Sequence, residues 1–261
     1  MSKNRLSFEI LCVTMHQTDF SKLTEMNIRS NAVFSNQADR TAYEEYEFDG
    51  HKAKMITTAT RGVGVNRNLA LTYASADLLL LADDDIRYCD ECEEIVLNAF
   101  ESNPKADVIL FNFESLNPDR PEAITQKTHR VRWYNALKYG AFRIAVRREA
   151  LLRKNITFSR LFGGGTRHSA GEDNLFITNC LQAGLRVISH TAVLGTVRQE
   201  ESTWFRGYNE KYYRDRGALF AAMYGRWAKT MLLLFECKKI RNGFRRRLAL
   251  GFDGIKAFRK Y

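Results

Sequence analysis

Four leucines and an alanine, Leu78 to Ala82, run directly into three consecutive aspartates, Asp83, Asp84 and Asp85. An apolar run of this kind, bounded by polar residues, reads as a strand buried on both faces of a sheet, with helices layered on either side. Three adjacent carboxylates at its end crowd like charge, which destabilises the chain unless a cation or ordered polar partners compensate. Ligands of open α/β sheets bind just past the carboxyl ends of strands. Hard oxygen donors at that place suit Mg2+ or Mn2+, which in turn holds a phosphate. A solvated acidic turn capping the next helix is the plainer reading of the same residues.

The remaining sequence can supply those layers. Of 261 residues, 45% are hydrophobic and only three are proline, enough for one large α/β domain with an appendage and no long disordered linker. No apolar run approaches the roughly 20 residues of a membrane span, and the start of the chain lacks the pattern of a signal peptide. Five scattered cysteines suggest reduced thiols in a cytoplasmic protein, and Cys89-Asp90-Glu91-Cys92 has no second ligand pair to make a metal site. Charge is uneven. Of the net +10, the segment 238–261 carries +8, from nine Lys/Arg and the single acid Asp253. A near-neutral body with a basic tail points to a surface anchor rather than a specific nucleic-acid binder.

Along the chain, Phe8 to Met15 reads as a first strand and Asp19 as the cap of a helix to about Ser30. Ala32 to Ser35 is a second strand, and Tyr43–Asp49 and Lys52–Thr58 pair around Gly50. A helix from about Val65 to Ala74, the leucine strand, a helix from Glu91 to Ser102 and a strand from Asp107 to Phe113 follow. Further on come a strand at Phe142–Val146, a glycine-rich loop at Gly163–Ser169, a helix from Gly171 to about Ala183 and a strand at Leu185–Ser189. Strand and helix alternate, which predicts an α/β fold with a mainly parallel N-terminal sheet flanked by helices. Phe244, Leu248, Ile255 and Phe258 fall on one stripe of a basic C-terminal helix. Such a helix suits either an anionic membrane surface or packing on the body.

Three pieces in this order resemble family 2 glycosyltransferases of the A-type nucleotide-sugar fold: Gly62-Val63-Gly64-Val65-Asn66-Arg67-Asn68, Ala82-Asp83-Asp84-Asp85 and Gly171-Glu172-Asp173-Asn174. The likeness spans residues 6 to about 200. It is greatest to bacterial enzymes of capsule, exopolysaccharide and lipopolysaccharide synthesis, which share a segment like Ser202-Thr203-Trp204-Phe205. The resemblance implies a nucleotide-sugar-binding and catalytic domain over 1–205 and a helical basic extension over 206–261 packed on it. It also implies a UDP-sugar donor, Mg2+ or Mn2+, inversion at the anomeric carbon and a glycan or lipid-linked acceptor. The location it implies is cytoplasmic; the basic segment 238–261 would add a peripheral association with the inner face of the cell membrane.

On the same resemblance, Asp83 faces the nucleoside and Asp85 the metal, with Asp84 a rival for either role. Asp173 is the base that takes the acceptor's proton, and Glu172 orients the acceptor or the metal site; as plain helix chemistry the pair would serve the macrodipole. Arg67 contacts the nucleotide, as an arginine fork after permissive glycines can. The family's uracil-reading aspartate is displaced here. Asn36, Gln37 and Asp39 remain as candidates for the base edge, each also at home in a turn. Thr14 is a backbone-level contact; Arg167 or His168 closes a mobile loop over the diphosphate, unless that loop is plain flexible surface; and His190 gives a further metal or phosphate contact or is a structural histidine at a strand end.

Other classes fit less of the sequence. A sugar-nucleotide pyrophosphorylase needs a basic glycine-rich signature after the first strand, where Thr14-Met15-His16-Gln17-Thr18 stands instead. A non-enzymatic polyanion binder needs a basic body, and a metal-dependent phosphatase leaves Glu172 and Asp173 without a role.

Overall fold

The leucine run is a central strand. In the computed structural model, which describes residues 5–199, 207–237 and 243–259, β5 (Leu78–Asp83) is buried from Leu78 through Ala82. Strand β1 (Phe8–Met15) lies parallel to it, with Cys12 opposite Ala82 and Val13 opposite Asp83. On its other side β1 pairs in parallel with β2 (Asn31–Gln37), and β2 with β4 (His51–Thr58). Shared direction brings the carboxyl ends of these four strands to one rim. The β3 strand (Ala42–Phe48) closes the edge as an antiparallel hairpin with β4 around Gly50.

Beyond β5 the sheet becomes mixed. Strand β9 (Ile144–Arg147) inserts antiparallel between β5 and β7 (Val108–Ser115), and β7 runs parallel to β10 (Val187–Val197). Short β6 (Ile86–Tyr88) and β8 (His129–Arg130) pair with β10. Strand β10 continues past the expected stop at Ser189 because register shifts between Ser189 and Val193 and again before Thr196 re-aim it along β7.

Both faces of the sheet are covered, as the leucine pattern requires. Leu78 and Leu80 join Ile10, Phe34 and Phe100 on one face, against α3 (Cys92–Ser102). Leu79 and Leu81 join Leu11, Val33, Ala70 and Phe176 on the other, against α2 (Val63–Tyr73) and α5 (Glu172–Gln182). The helix expected from Asp19 to Ser30 is a single turn, α1 (Lys22–Glu25). The Asp19 carboxylate accepts the Ser21 N–H at 2.9 Å in a local turn, and Asn27 in a left-handed conformation (φ 53°) ends the helix. A short α4 (Arg148–Lys154) follows β9. Cys89 and Cys92 are free thiols.

Three helices end the described chain: α6 (Glu210–Tyr224), α7 (Ala228–Cys237) and α8 (Phe244–Phe258). Helices α6 and α8 touch backbone to backbone. A methyl group on Gly217 would stand 1.9 Å from the Gly251 carbonyl oxygen, and one on Gly254 2.0 Å from that of Arg214. Buried Glu236 on α7 ties all three together, accepting from Arg216 Nη1 (2.8 Å) and Arg247 Nε (3.0 Å). Leu248, Ile255 and Phe258 pack inward with Phe220 and Leu232. Three of the four residues of the stripe therefore pack on the body, while Phe244 is half-buried outside these clusters. Ser202 to Phe205 lie outside the described residues, as do 238–242 of the tail.

Candidate active site

The strand rim forms the floor of a cleft of about 750 Å3, a volume in the range of small-molecule sites. Thr14 and Gln37 come from β1 and β2, Arg67 from α2, and Asp83 and Asp84 from the end of β5. Glu172, Asp173 and Asn174 enter from the start of α5, and Tyr212, Asp215 and Arg216 form the facing wall on α6. Two acidic motifs remote in sequence thus meet in one cavity.

Arg67 joins them. Gly64 lets α2 approach the chain at Ser159 closely, since a Cβ there would lie 2.1 Å from the Ser159 carbonyl oxygen. From that position Arg67 donates through Nη2 to Asp83 Oδ1 (2.7 Å) and through Nη1 to Glu172 Oε1 (2.6 Å). Its side chain is only 6% exposed, with the guanidinium 5.4 Å from the centre of the Phe158 ring. Burial alone would lower its pKa, but the two carboxylates reverse this and raise it. Arg67, expected at the nucleotide, lines the cleft, and both arms of its fork pair with carboxylates of the protein, bridging the two acidic motifs.

Asp173 stands beside this bridge. Gly171, at φ 105°, turns the chain into α5, and a side chain there would strike Leu219 of α6 at 2.5 Å. Asp173 Oδ1 accepts the Asn174 N–H at 2.6 Å. Burial, and then the Glu172 carboxylate, push its pKa up to about 7. Among the described residues no cation pairs with it directly. A carboxylate poised near neutrality and open to a cleft can accept a proton from a bound hydroxyl.

The aspartate triplet divides its contacts. Asp83 faces Arg67, Asp84 Oδ2 accepts from Thr14 Oγ1 at 2.5 Å, and Asp85 Oδ2 accepts the Gln199 N–H at 3.3 Å. Burial, and then Asp83, raise Asp85 to about 6. Among the described residues no three His, Cys, Asp or Glu side chains form a cluster able to hold a metal ion. Mg2+ and Mn2+ commonly take one or two carboxylates and complete their shell with water and substrate phosphate. Asp84 lines the cleft and fits that kind of shared site; Asp85, adjacent to it, is not among the residues lining the cleft.

Other candidates fall elsewhere. His190 on β10 lies against Phe111 (5.5 Å between ring centres) and Nδ1 accepts the Ala192 N–H at 3.2 Å; burial lowers its pKa. It does not line the cleft, and among the described residues it joins no group of three His, Cys, Asp or Glu side chains able to hold a metal ion. Asp39 is exposed and paired with Arg61 at 2.5 Å, away from the cleft lining. Asn36 is buried, donating to the Gln17 carbonyl (2.9 Å) and Thr57 Oγ1 (3.0 Å). Gln37 does line the cleft, and its amide donates to the Gly62 carbonyl at 3.3 Å. Arg167 is exposed and does not line the cleft.

The glycine loop is anchored rather than free-swinging. His168 Nδ1, Ser169 N and Ser169 Oγ sit 3.0, 3.1 and 2.9 Å from the Asp215 carboxylate, and Lys211 reaches it at 2.5 Å. Those hydrogen bonds overcome desolvation and hold the Asp215 pKa low. Sequence reading missed this wall. Its signal was Lys211, Tyr212, Asp215 and Arg216 spaced along one side of a helix, which alone does not say what the helix faces.

A nucleotide-binding half-sheet extended by a mixed half, with acidic groups at the rim, defines the A-type nucleotide-sugar transferase fold. Residues 33–170 match the model of Glycosyl transferase family 2, and the chain belongs to that family. No curated protein matches it. Among solved structures, residues 1–349 of S. aureus TarS superpose with a TM-score of 0.62 at 14% identity, covering 98% of this chain and 92% of that one. The same fragment in complex with UDP-GlcNAc gives 0.63 at 14% identity over 98% and 92%. Against the longer S. aureus TarS structure the score is 0.61 at 14% identity; it covers 98% of this chain and 55% of that one. At such identity the likeness is one of fold. With the family, it places the protein among the glycosyltransferases rather than the pyrophosphorylases or polyanion binders.

Proposed function

We propose that the protein is an inverting glycosyltransferase that moves a sugar from a UDP-sugar to a hydroxyl of a glycan or lipid-linked acceptor in surface-polysaccharide synthesis. The observation that carries this reading is the meeting of Asp83, Asp84, Glu172 and Asp173 in one cleft, with Asp173 raised to about 7. Thr14, Gln37 and Asp83 lie at the strand ends, where the nucleoside is received. Asp84 and Asp85 would hold Mg2+ or Mn2+ together with the donor diphosphate, and the ion would neutralise the charge of the departing group.

Asp173 accepts the proton of the acceptor hydroxyl as its oxygen bonds to the anomeric carbon, while the bond from that carbon to the diphosphate oxygen breaks on the opposite face. Asn174 N–H fixes one Asp173 oxygen and leaves the other for the acceptor. Glu172 is held by Arg67 and so cannot swing into the acceptor's place. In this reading residues 1–205 are the catalytic unit and 206–261 the extension that walls the cleft. The enzyme works in the cytoplasm at the inner membrane face. Among the described residues no helix is long and apolar enough to cross a membrane. UDP-GlcNAc bound by the structurally similar TarS fragment supports the choice of donor class.

A panel of nucleotide sugars assayed for hydrolysis with Mn2+ and with chelator tests the reading. One UDP-sugar should release UDP in the presence of Mn2+ and stop with chelator. No turnover of any nucleotide sugar, or turnover indifferent to chelator, contradicts it.

A further inference from the structure

Helix α7 exposes Leu233 and Leu234 to water beside Lys229 and Thr230. Ala228, Leu232 and Phe235 point into the helical bundle, while Leu234 is 53% and Trp227, just before the helix, 59% exposed. A surface helix in water usually turns polar residues outward. Across from it, Trp133 is 55% and Tyr134 65% exposed. Trp133, Tyr224, Trp227 and Met231 together line an apolar cavity of about 700 Å3, separate from the catalytic cleft.

The chain segments that supply this patch are basic in sequence, and the charged side chain lining its cavity is Arg226. No acid occurs between Glu122 and Glu149, a stretch that holds Arg130, Arg132 and Lys138. Between Asp215 and Asp253 the one acid is Glu236, which is buried and shared by Arg216 and Arg247. Arg226 and Lys229 flank Trp227, with Arg226 at 5.4 Å from its ring centre. A second copy docked face to face would oppose these like charges. An anionic bilayer complements them, and exposed Trp and Tyr beside apolar side chains belong at the boundary of headgroup and acyl chain.

We infer that the face formed by Trp133, Tyr134, Trp227, Met231 and Leu234 docks the enzyme on an anionic lipid bilayer. Leu248, Ile255 and Phe258 of α8, by contrast, already pack into the helical bundle. The docking face and the catalytic cleft share walls: Trp133 lines the patch and Leu137 to Gly140 the cleft, while α6 gives Met223 to one and Leu219 to the other. Docking therefore brings the cleft to within about a helix width, roughly 10 Å, of the lipid surface. If the proposed transferase function holds, a lipid-linked acceptor would be delivered there; the docking itself does not depend on that function.

Sedimentation of the full chain with vesicles, in parallel with UDP release from its donor sugar in solution, tests the inference. The protein should bind vesicles of phosphatidylglycerol mixed with phosphatidylcholine, lose binding as salt rises, and ignore phosphatidylcholine alone. Leu234→Glu with Trp227→Ser should weaken binding by about tenfold or more, with UDP release unchanged. Arg245→Glu with Lys256→Glu, on the solvent face of α8, should weaken it less. The inference is overturned if anionic vesicles are not bound, or if only the α8 variant releases them. It is also overturned if light scattering shows a dimer that Leu234→Glu dissolves while vesicles stay unbound. Vesicle binding without UDP release would leave the docking standing and remove the transferase reading.

Discussion

At the scale of single residues, Arg67 organises the site. Its two carboxylate partners lie 16 and 105 positions away in sequence, and only folding brings the second within reach. That distance explains why the sequence marked Arg67 as functional but did not show its carboxylate partners. Removing one member of a buried ionic cluster leaves the others uncompensated, at about 3 kcal/mol or more. Arg67→Ala should therefore lower the urea midpoint and abolish transfer. Arg67→Lys should rescue only part, because an ammonium cannot fork to both acids. Asp173 makes a separate prediction. Its folded pKa near 7 lies above the ordinary 3.8, so between pH 4 and 7 the native state binds more protons than the unfolded chain. Its contribution to stability is then greatest at low pH and is lost as pH rises through 7. Asp173→Asn should melt higher than the wild type at pH 8, by of order 1 kcal/mol, with the difference vanishing near pH 4. Wild-type transfer should rise with pH through about 7 as the carboxylate ionises. A melting difference independent of pH contradicts the assignment.

At the scale of elements, the legible parts were those whose pattern is local. Leu78 to Ala82 announced a strand buried on two faces, and Gly171 followed by Glu172 and Asp173 announced a helix start. The antiparallel insertion of β9 between β5 and β7 left no trace in Ile144–Arg147, because strand direction is fixed by remote partners rather than by periodicity. Asp19 misled for the opposite reason: its side chain satisfies a nearby backbone N–H without a long helix following. The contact of α6 with α8 was hidden in isolated glycines. Gly217→Ala would place a methyl group 1.9 Å from the Gly251 carbonyl oxygen, forcing the helices apart at about 1–3 kcal/mol. For a chain of this size that is a fall of about 2–6 °C in Tm, measurable by calorimetry. An unchanged Tm would show that α6 and α8 do not touch as described.

At the scale of the whole molecule, the cleft exists because two halves of the chain face each other. The parallel rim presents Thr14, Asp83 and Asp84, and α5 and α6 close over it with Asp173 and the Asp215 latch. From sequence, the rim and the Glu172-Asp173 pair were recoverable; the wall from α6 was not, since nothing in residues 210–224 says which surface it covers. A metal site shared with substrate predicts cooperative stabilisation. Mn2+ alone should move Tm little and UDP alone little, whereas both together should raise it clearly; a full shift with Mn2+ alone would contradict the shared site. The most direct test of the account is UDP release by Asp173→Asn with donor and acceptor saturating, alongside its donor affinity by calorimetry. Donor affinity should stay within about threefold of wild type while turnover falls by about 100-fold or more. Turnover equal to that of the wild type would contradict it.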